Sequence, residues 1–281
     1  MSWWRIALAM VAFHLEASSC FPKLQSHRTE QDVAQPLLPI RTASTGNSRL
    51  LGQRATNTEE GVVCIVTMVH DEVSRTLAEA QTRRMSHIFS DATSWVHRTF
   101  ACNQTCQEGW ELLPQKTYTM LVESLTWQPP CRAVIKQDDD GFFCLNRLAS
   151  HFDLRKLDRA YIGAVTRSED AYLTSQDRTS KYFVDRDLST EVRDGKLPLV
   201  MYMQGASYLI GRRVIEFVAR QPVSELLTVP WEDWSLGAWT ATAALRLLQG
   251  VPLNKECNGG ASNDTVIFHH CKSDGSFAKL C

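Results

Sequence analysis

The sequence has no glycine-rich phosphate loop. Neither a G-x-G-x-x-G fingerprint nor a Walker sequence occurs in its 281 residues, so a nucleotide would have to be held without one. An excess of charge of either sign is also missing. Lys and Arg number 30 against 31 Asp and Glu, which implies neither a nucleic-acid face nor an acidic tail. The nine cysteines form no C-x-x-C pair and no zinc-type Cys/His spacing, and disulfides fit them better. The apolar run Ile6 to Leu15 is short of the ~20 residues of a membrane span. Trp3-Trp4-Arg5 precedes it and the small residues Ala17-Ser-Ser-Cys20 follow. Residues 1–20 therefore read as a signal peptide or signal anchor.

What is present favours one catalytic-size domain behind a linker. Residues 21–59 hold Gln, Ser, Thr, Arg and Pro without periodicity, as a flexible stem does. From residue 60 onward the pattern changes, and a hydrophobic content of 44% permits a sizeable core. Val62 to Val69 is a near-continuous β-branched run, the signature of a strand buried on both faces. Asp71 is placed to cap a following helix, in which Val73, Leu77, Ala80, Met85, Ile88 and Phe89 recur at roughly helical spacing. Trp95 to Phe100 reads as a second strand, Lys116 to Trp127 as a helix, and Ser235 to Leu248 as another. Alternating buried strands and amphipathic helices predict an α/β fold with a mostly parallel sheet. Asn103-Gln-Thr105 and Asn263-Asp-Thr265 have the form of N-glycosylation acceptors.

The chemically loaded stretch is Ala133-Val-Ile-Lys-Gln-Asp138-Asp139-Asp140-Gly141-Phe-Phe-Cys144. Strand character runs into three consecutive acids and then returns to an apolar environment. Three adjacent carboxylates repel one another, and a divalent cation with oxygen ligands, such as Mg²⁺ or Mn²⁺, would relieve that repulsion. The plain alternative is an acidic turn closed by Asp140-Gly141. A calcium loop would need further ligands and a spacing that are not seen.

Around this stretch the order of motifs is informative. Leu113-Pro-Gln-Lys116-Thr117 leads to Trp127. Downstream lie Tyr161-Ile-Gly163, Lys181-Tyr182, Tyr202-Met-Gln-Gly205-Ala-Ser-Tyr208 and Trp231-Glu232-Asp233-Trp234-Ser-Leu-Gly237. From about Val62 to Phe277 the chain resembles the β-1,3-galactosyltransferase-like hexosyltransferases, the family that also holds the fringe-type enzymes. Several pieces depart from it, among them the short N-terminal apolar run, where the family carries a signal anchor, and Gly205-Ala-Ser-Tyr208, where Ala206 or Ser207 stands for a second Gly. An Ile-Arg-x-Thr-Trp signature is represented only by Arg83-Arg84-Met85, and Lys181-Tyr182-Phe183 stands for Lys-Trp-Tyr.

The resemblance implies a GT-A type fold, a Rossmann-like, mostly parallel central sheet flanked by helices, over residues 60–281. It implies an inverting, metal-dependent hexosyltransferase with Mn²⁺, or Mg²⁺ in its place. The donor would be UDP-galactose or UDP-N-acetylglucosamine, the acceptor a glycan or glycoprotein, and the linkage β-1,3. Asp140 is the first-choice metal ligand. Asp138 is placed toward the ribose or uracil and is also a ligand candidate, and Asp139 stands behind them. A histidine ligand is expected near the C-terminus, with His270 preferred and His269 as the alternative. Arg84, or Arg83, would meet a diphosphate. Asp233 is expected as the base that takes the acceptor proton, with Glu232 orienting beside it. Lys181, Tyr182, Gly205, Tyr208, Trp231 and Trp234 are candidates for substrate contact. The location implied is the secretory pathway, in the Golgi lumen, either membrane-anchored through the N-terminus or cleaved and luminal. The rival reading is a non-catalytic relative, a folding partner or a carbohydrate-binding module. For the disulfides the expected pairing is Cys131 with Cys102 or Cys106. Cys257, Cys271 and Cys281 are further candidates, and Cys64 and Cys144 are expected unpaired in the core.

Overall fold

The computed structural model describes residues 61–88, 95–101, 112–167, 188–243, 246–257, 262–277 and 280–281. The expected signal segment and stem, the sequon at Asn103, and Lys181 and Tyr182 lie outside them. No helix among the described residues is long and apolar enough to cross a membrane.

The first half of the domain alternates strand and helix, as its hydrophobic pattern requires. Strand β1 (Val62–Val69) leads to helix α1 (Glu72–Ile88), then β2 (Trp95–Ala101), α2 (Leu113–Ser124) and β3 (Cys131–Gln137). After the acidic stretch come β4 (Phe142–Phe143), β5 (Ala160–Arg167), β6 (Met201–Gly211) and helix α3 (Arg212–Ala219). Helix α4 (Glu232–Thr240), β7 (Leu247–Gly250), β8 (Leu253–Asn254) and β9 (Ile267–Phe268) follow, with short helical turns at Leu145–Leu148, Leu154–Arg159, Leu188–Arg193, Val223–Glu225 and Asp274–Phe277. The main sheet has the order β2-β1-β3-β6-β5-β7. β1 is parallel to β2 and β3, and β7 is parallel to β5. Only β6 runs against both its neighbours, so the fold is α/β with a mostly parallel sheet. β1 is buried on both faces. Val63 and Ile65 join one apolar cluster with Ile135, Leu209 and Phe142. Cys64 and Val66 join another with Val134, Tyr208 and Leu236. That two-sided burial is why the run carries no polar alternation.

Three details differ from expectation. In α1 Ala80 and Met85 are buried as expected, but Ser74, Ala78 and Gln81 are buried with them and Val73 is 70% exposed. Asp71 does cap the helix, accepting from the Ser74 N–H at 2.7 Å, and that cap turns Ser74 inward. The helix expected over Ser235–Leu248 ends at Thr240, because Leu247 and Leu248 are taken up as a parallel edge strand against Ala160 and Tyr161. Among the described residues the cysteines pair as Cys64–Cys131, Cys144–Cys281 and Cys257–Cys271. Cys64 and Cys144 are thus bonded rather than free, and Cys131 takes Cys64, not Cys102 or Cys106. The reason is topological: β1 and β3 are adjacent, with Val62 opposite Cys131.

Two features of this frame place the site. A small second sheet, β4-β9-β8, pairs Phe142 with Phe268 in antiparallel register. It brings the residues after β9 against those before β4. Helix α4 packs tightly on β6, where a Cβ at Gly237 would lie 2.6 Å from the Tyr202 Cβ. Only glycine permits that approach, and it sets the N-terminus of α4 over Gly205.

Candidate active site

The acidic loop is built as a continuation of β3. The ladder to β6 ends at Gln137 opposite Ser207. The Asp138 N–H then donates to the Ala206 carbonyl at 3.0 Å, and the Gly141 N–H closes a turn on the Asp138 carbonyl at 3.0 Å. A Cβ at Gly141 would meet the Ala206 carbonyl oxygen at 2.3 Å. Gly141→Ala is therefore expected to displace the loop and to destabilise the domain by about 1–3 kcal/mol, the usual scale of overpacking. A thermal melt unchanged from the wild type would contradict this.

Behind the loop sits Gln81, fully buried in α1. Its amide nitrogen donates to the carbonyls of Asp138, Asp139 and Gly141 at 3.0, 2.8 and 2.6 Å. Its oxygen accepts from Thr67 at 2.6 Å and from Gln137 at 2.8 Å. The backbone of the loop is thus satisfied from inside, and the three carboxylates are left for other partners. Gln81 was not visible in the sequence as a site residue; the only hint is a polar residue on the apolar stripe of α1.

Asp140 meets two imidazoles. His269 Nε2 lies 3.3 Å from its Oδ1 and His270 Nδ1 lies 3.6 Å from its Oδ2. The rings stack with centroids 4.0 Å apart. Consecutive strand residues normally face opposite ways, but His270 has φ +61°, a left-handed conformation that returns its ring to the same side. The Cys271 N–H donates to the Asp140 carbonyl at 2.9 Å, and Cys271 is bonded to Cys257, which fixes the end of this segment. Burial works against the Asp140 carboxylate, but the hydrogen bond from His269 and the fields of His269, His270 and Lys272 outweigh it and hold its pKa below the ordinary value. Asp139 moves the other way, pushed up by burial and by Asp140 and Asp138 against the pull of His70. One ligand atom from each of Asp140, His269 and His270 can be chosen so that all lie within 4.8 Å of one another. A carboxylate with two imidazoles suits a first-row divalent cation. Asp138 has a different partner, Lys136, at 2.7 Å.

The acid pair sits at the start of α4. Glu232 is buried; it accepts from the Tyr208 hydroxyl and lies 3.4 Å from the Lys136 ammonium. Asp233 is half-buried. Its Oδ2 accepts from the Gly205 N–H at 3.2 Å and its Oδ1 from the Trp234 N–H at 2.8 Å. Loss of water and the neighbouring Glu232 push the Asp233 carboxyl up to about 7, against the weaker pull of the two backbone donors and Lys136. A carboxyl poised near neutrality can accept a proton at working pH.

Several expected contact residues turn out to be supports. Trp234 is fully buried among Leu188, Leu197, Val200 and Tyr202, which takes its ring out of reach of a sugar; Trp231 beside it is only half-buried. Tyr208 is also fully buried and holds Glu232. Arg84 turns one edge of its guanidinium to the C-terminus, its Nε donating to the Leu280 carbonyl at 2.9 Å. Gly205 does line the acid pair: a Cβ there would point at Glu232 Oε2 and Asp233 Oδ2, 3.5 and 3.7 Å away.

The site thus combines an acidic strand-end loop and a carboxylate–imidazole cluster with a carboxyl poised near neutrality at the start of α4. The galactosyltransferase family model matches residues 101–249, a span that contains both Asp138–Asp140 and Glu232–Asp233. The chain belongs to the galactosyltransferase family, and glycosyl transfer is the chemistry of that family. No curated protein matches it. Among solved structures it is similar to a glycosyltransferase involved in glycosylation of the major capsid of PBCV-1. That pair is 10% identical over 78% of this chain and 100% of the other, with a TM-score of 0.46. It is also similar to the galactosyltransferase LgtC in complex with donor and acceptor sugar analogs. Identity there is 12% over 74% of this chain and 87% of the other, with a TM-score of 0.44. The family assignment rests on the first match and not on these two likenesses.

Proposed function

We propose that this protein is a metal-dependent, inverting GT-A hexosyltransferase. It moves galactose or N-acetylglucosamine from a UDP-sugar to a hydroxyl of a glycan or glycoprotein in a β-1,3 linkage. The observation that carries the reading is the meeting of two acidic sites. The Asp138–Asp140 loop and the Glu232–Asp233 pair lie on either side of a single buried ammonium, Lys136. In the proposed arrangement a donor held at the first directs its sugar toward the second.

In this reading Asp140, His269 and His270 would hold a divalent cation, Mn²⁺ or in its place Mg²⁺. When bound, that cation supplies Lewis-acid stabilisation of the leaving diphosphate. Asp138 and the turn around it face the nucleoside side. Asp233 accepts the proton of the acceptor hydroxyl as its oxygen bonds to the anomeric carbon and the bond to the diphosphate breaks, releasing UDP. Glu232 is fixed by Tyr208 and Lys136 and keeps α4 in register with Gly205. Three disulfides among the described residues suit an oxidising compartment, and Asn263 is exposed where a luminal glycan could be added. Both fit work in the secretory pathway, in the Golgi lumen, with attachment through the N-terminal segment. The departures at Arg83-Arg84-Met85 and Lys181-Tyr182-Phe183 favour the non-catalytic alternative slightly, and the presence of Asp140, Asp233 and the two histidines weighs more against it.

The direct experiment is a donor screen that follows UDP release with added Mn²⁺ and a panel of glycan acceptors. Transfer from one UDP-hexose, dependent on metal, is expected. Nucleotide binding without transfer to any acceptor would favour the non-catalytic relative, and no binding of any UDP-sugar would overturn the reading.

A further inference from the structure

Lys136 occupies a strand position that the packing would suit to an apolar residue. It lies in β3 between Ile135 and Gln137, opposite Tyr208, and is buried. Its ammonium lies 5.6 Å from the centre of the Tyr208 ring. The three donors of a lysine find three acceptors on three elements. These are Asp138 Oδ1 at 2.7 Å in the acidic loop, the Gly205 carbonyl at 2.7 Å in β6, and Glu232 Oε2 at 3.4 Å in α4. Burying an ammonium is costly, and even a well-paired buried ion pair adds little net stability over an apolar replacement. A lysine here is therefore poorly explained by the fold alone.

We propose that Lys136 is a positioning residue that ties the nucleotide-side loop to the acceptor-side acid pair and sets the charge balance in which Asp233 works. This rests on the transferase reading above. Lys136 makes no contact with Asp233; it acts through Gly205, whose N–H holds Asp233, and through the charge of Glu232. Asp233 is faced by Glu232 on its own helix, by Lys136 from β3 and by Tyr161 from β5. Tyr208 reaches it only through Glu232, Asp138 stands beyond Lys136, and Arg246 lies past Tyr161. Among these, Lys136 is the nearest cation to two acids. Burial pulls its own pKa down, and Asp138, Glu232 and Asp233 more than restore it, so it carries its charge throughout the working range.

The test is the acid limb of the pH–kcat profile in K136M, K136R, E232Q and the double variant K136M/E232Q. Removing the cation should raise the apparent pKa of Asp233 by about one unit or more, the scale of a close opposite charge. Removing the like charge in E232Q should lower it. The double variant should fall between the two singles, and K136R should stay close to the wild type. A purely structural lysine would lower activity at every pH without moving the limb. If K136M does not fold, the double variant is compared with E232Q, from which it differs only at Lys136, and the same upward shift is expected. A carboxyl ¹³C titration of Asp233 reads the same ordering without turnover, so an inactive wild type would overturn the transferase reading and leave this proposal still measured. An unmoved Asp233 titration in K136M, or K136R shifting as far as K136M, would overturn the proposal.

Discussion

Asp233→Asn is expected to lower kcat by roughly 10²–10⁴-fold, the usual scale of general-base catalysis, and to leave UDP–Mn²⁺ affinity nearly unchanged. The amide keeps the size of the carboxyl and can still accept from the Gly205 and Trp234 N–H groups that hold it. What it cannot do is take a proton from the acceptor. Donor and cation are held elsewhere, at the acidic loop and its histidines, so the loss should appear in kcat and not in the donor KM. Calorimetry of UDP–Mn²⁺ binding beside a transfer assay separates the two. Wild-type turnover by the variant would move the base to another group, with Glu232 next in line.

The position of Asp233 also fixes a pH dependence. Its carboxyl is pushed up to about 7, against an ordinary value near 3.9. As a base it must be deprotonated, so kcat should fall as the pH drops below about 7. The stability effect runs the opposite way across a lower window. Between about pH 4 and 7 the folded state holds a proton that the unfolded chain has released. This group's contribution is therefore complete below about pH 4 and is lost as the pH rises through 7.

Asp140→Ala is expected to abolish transfer and to lose donor binding first, the reverse of the Asp233 pattern. Asp140 is the carboxylate both imidazoles approach, at 3.3 and 3.6 Å. Without it the two rings retain no anionic partner among the described residues. Chelation of the wild type should give the same loss reversibly, with activity restored by Mn²⁺. His269→Ala and His270→Ala should each weaken Mn²⁺ binding less than Asp140→Ala does. Full activity in EDTA would remove the metal from the mechanism, while undiminished Mn²⁺ binding in one histidine variant would assign the imidazole to the other.

Much of this was legible in the sequence for a physical reason. A strand buried on both faces must be apolar throughout, so Val62 to Val69 announced itself with correct ends. Three adjacent carboxylates before Gly141 stood out because an apolar core on both sides makes their repulsion conspicuous. The acids of α4 stood out because they fall between two indoles. Local chemistry of this kind is written in neighbouring residues and needs no knowledge of what lies across the sheet.

Partners far apart in the chain were decided by the tertiary structure alone. The antiparallel insertion of β6 placed Gly205 and Tyr208 against β3, and so joined Lys136 to Glu232, 96 residues away. The pairing of Phe142 with Phe268 brought both histidines to Asp140, where the sequence had offered a choice between them. Trp234 and Tyr208 were read as sugar contacts because aromatic residues serve both cores and ligands, and only burial tells the two apart. Cys64 and Cys131 look unrelated along the chain and become neighbours once β1 lies beside β3. Composition and local pattern thus determined the layers and the reactive groups. Strand order and register determined which groups meet, because a sheet brings distant segments within hydrogen-bonding distance while leaving no periodic trace in either one.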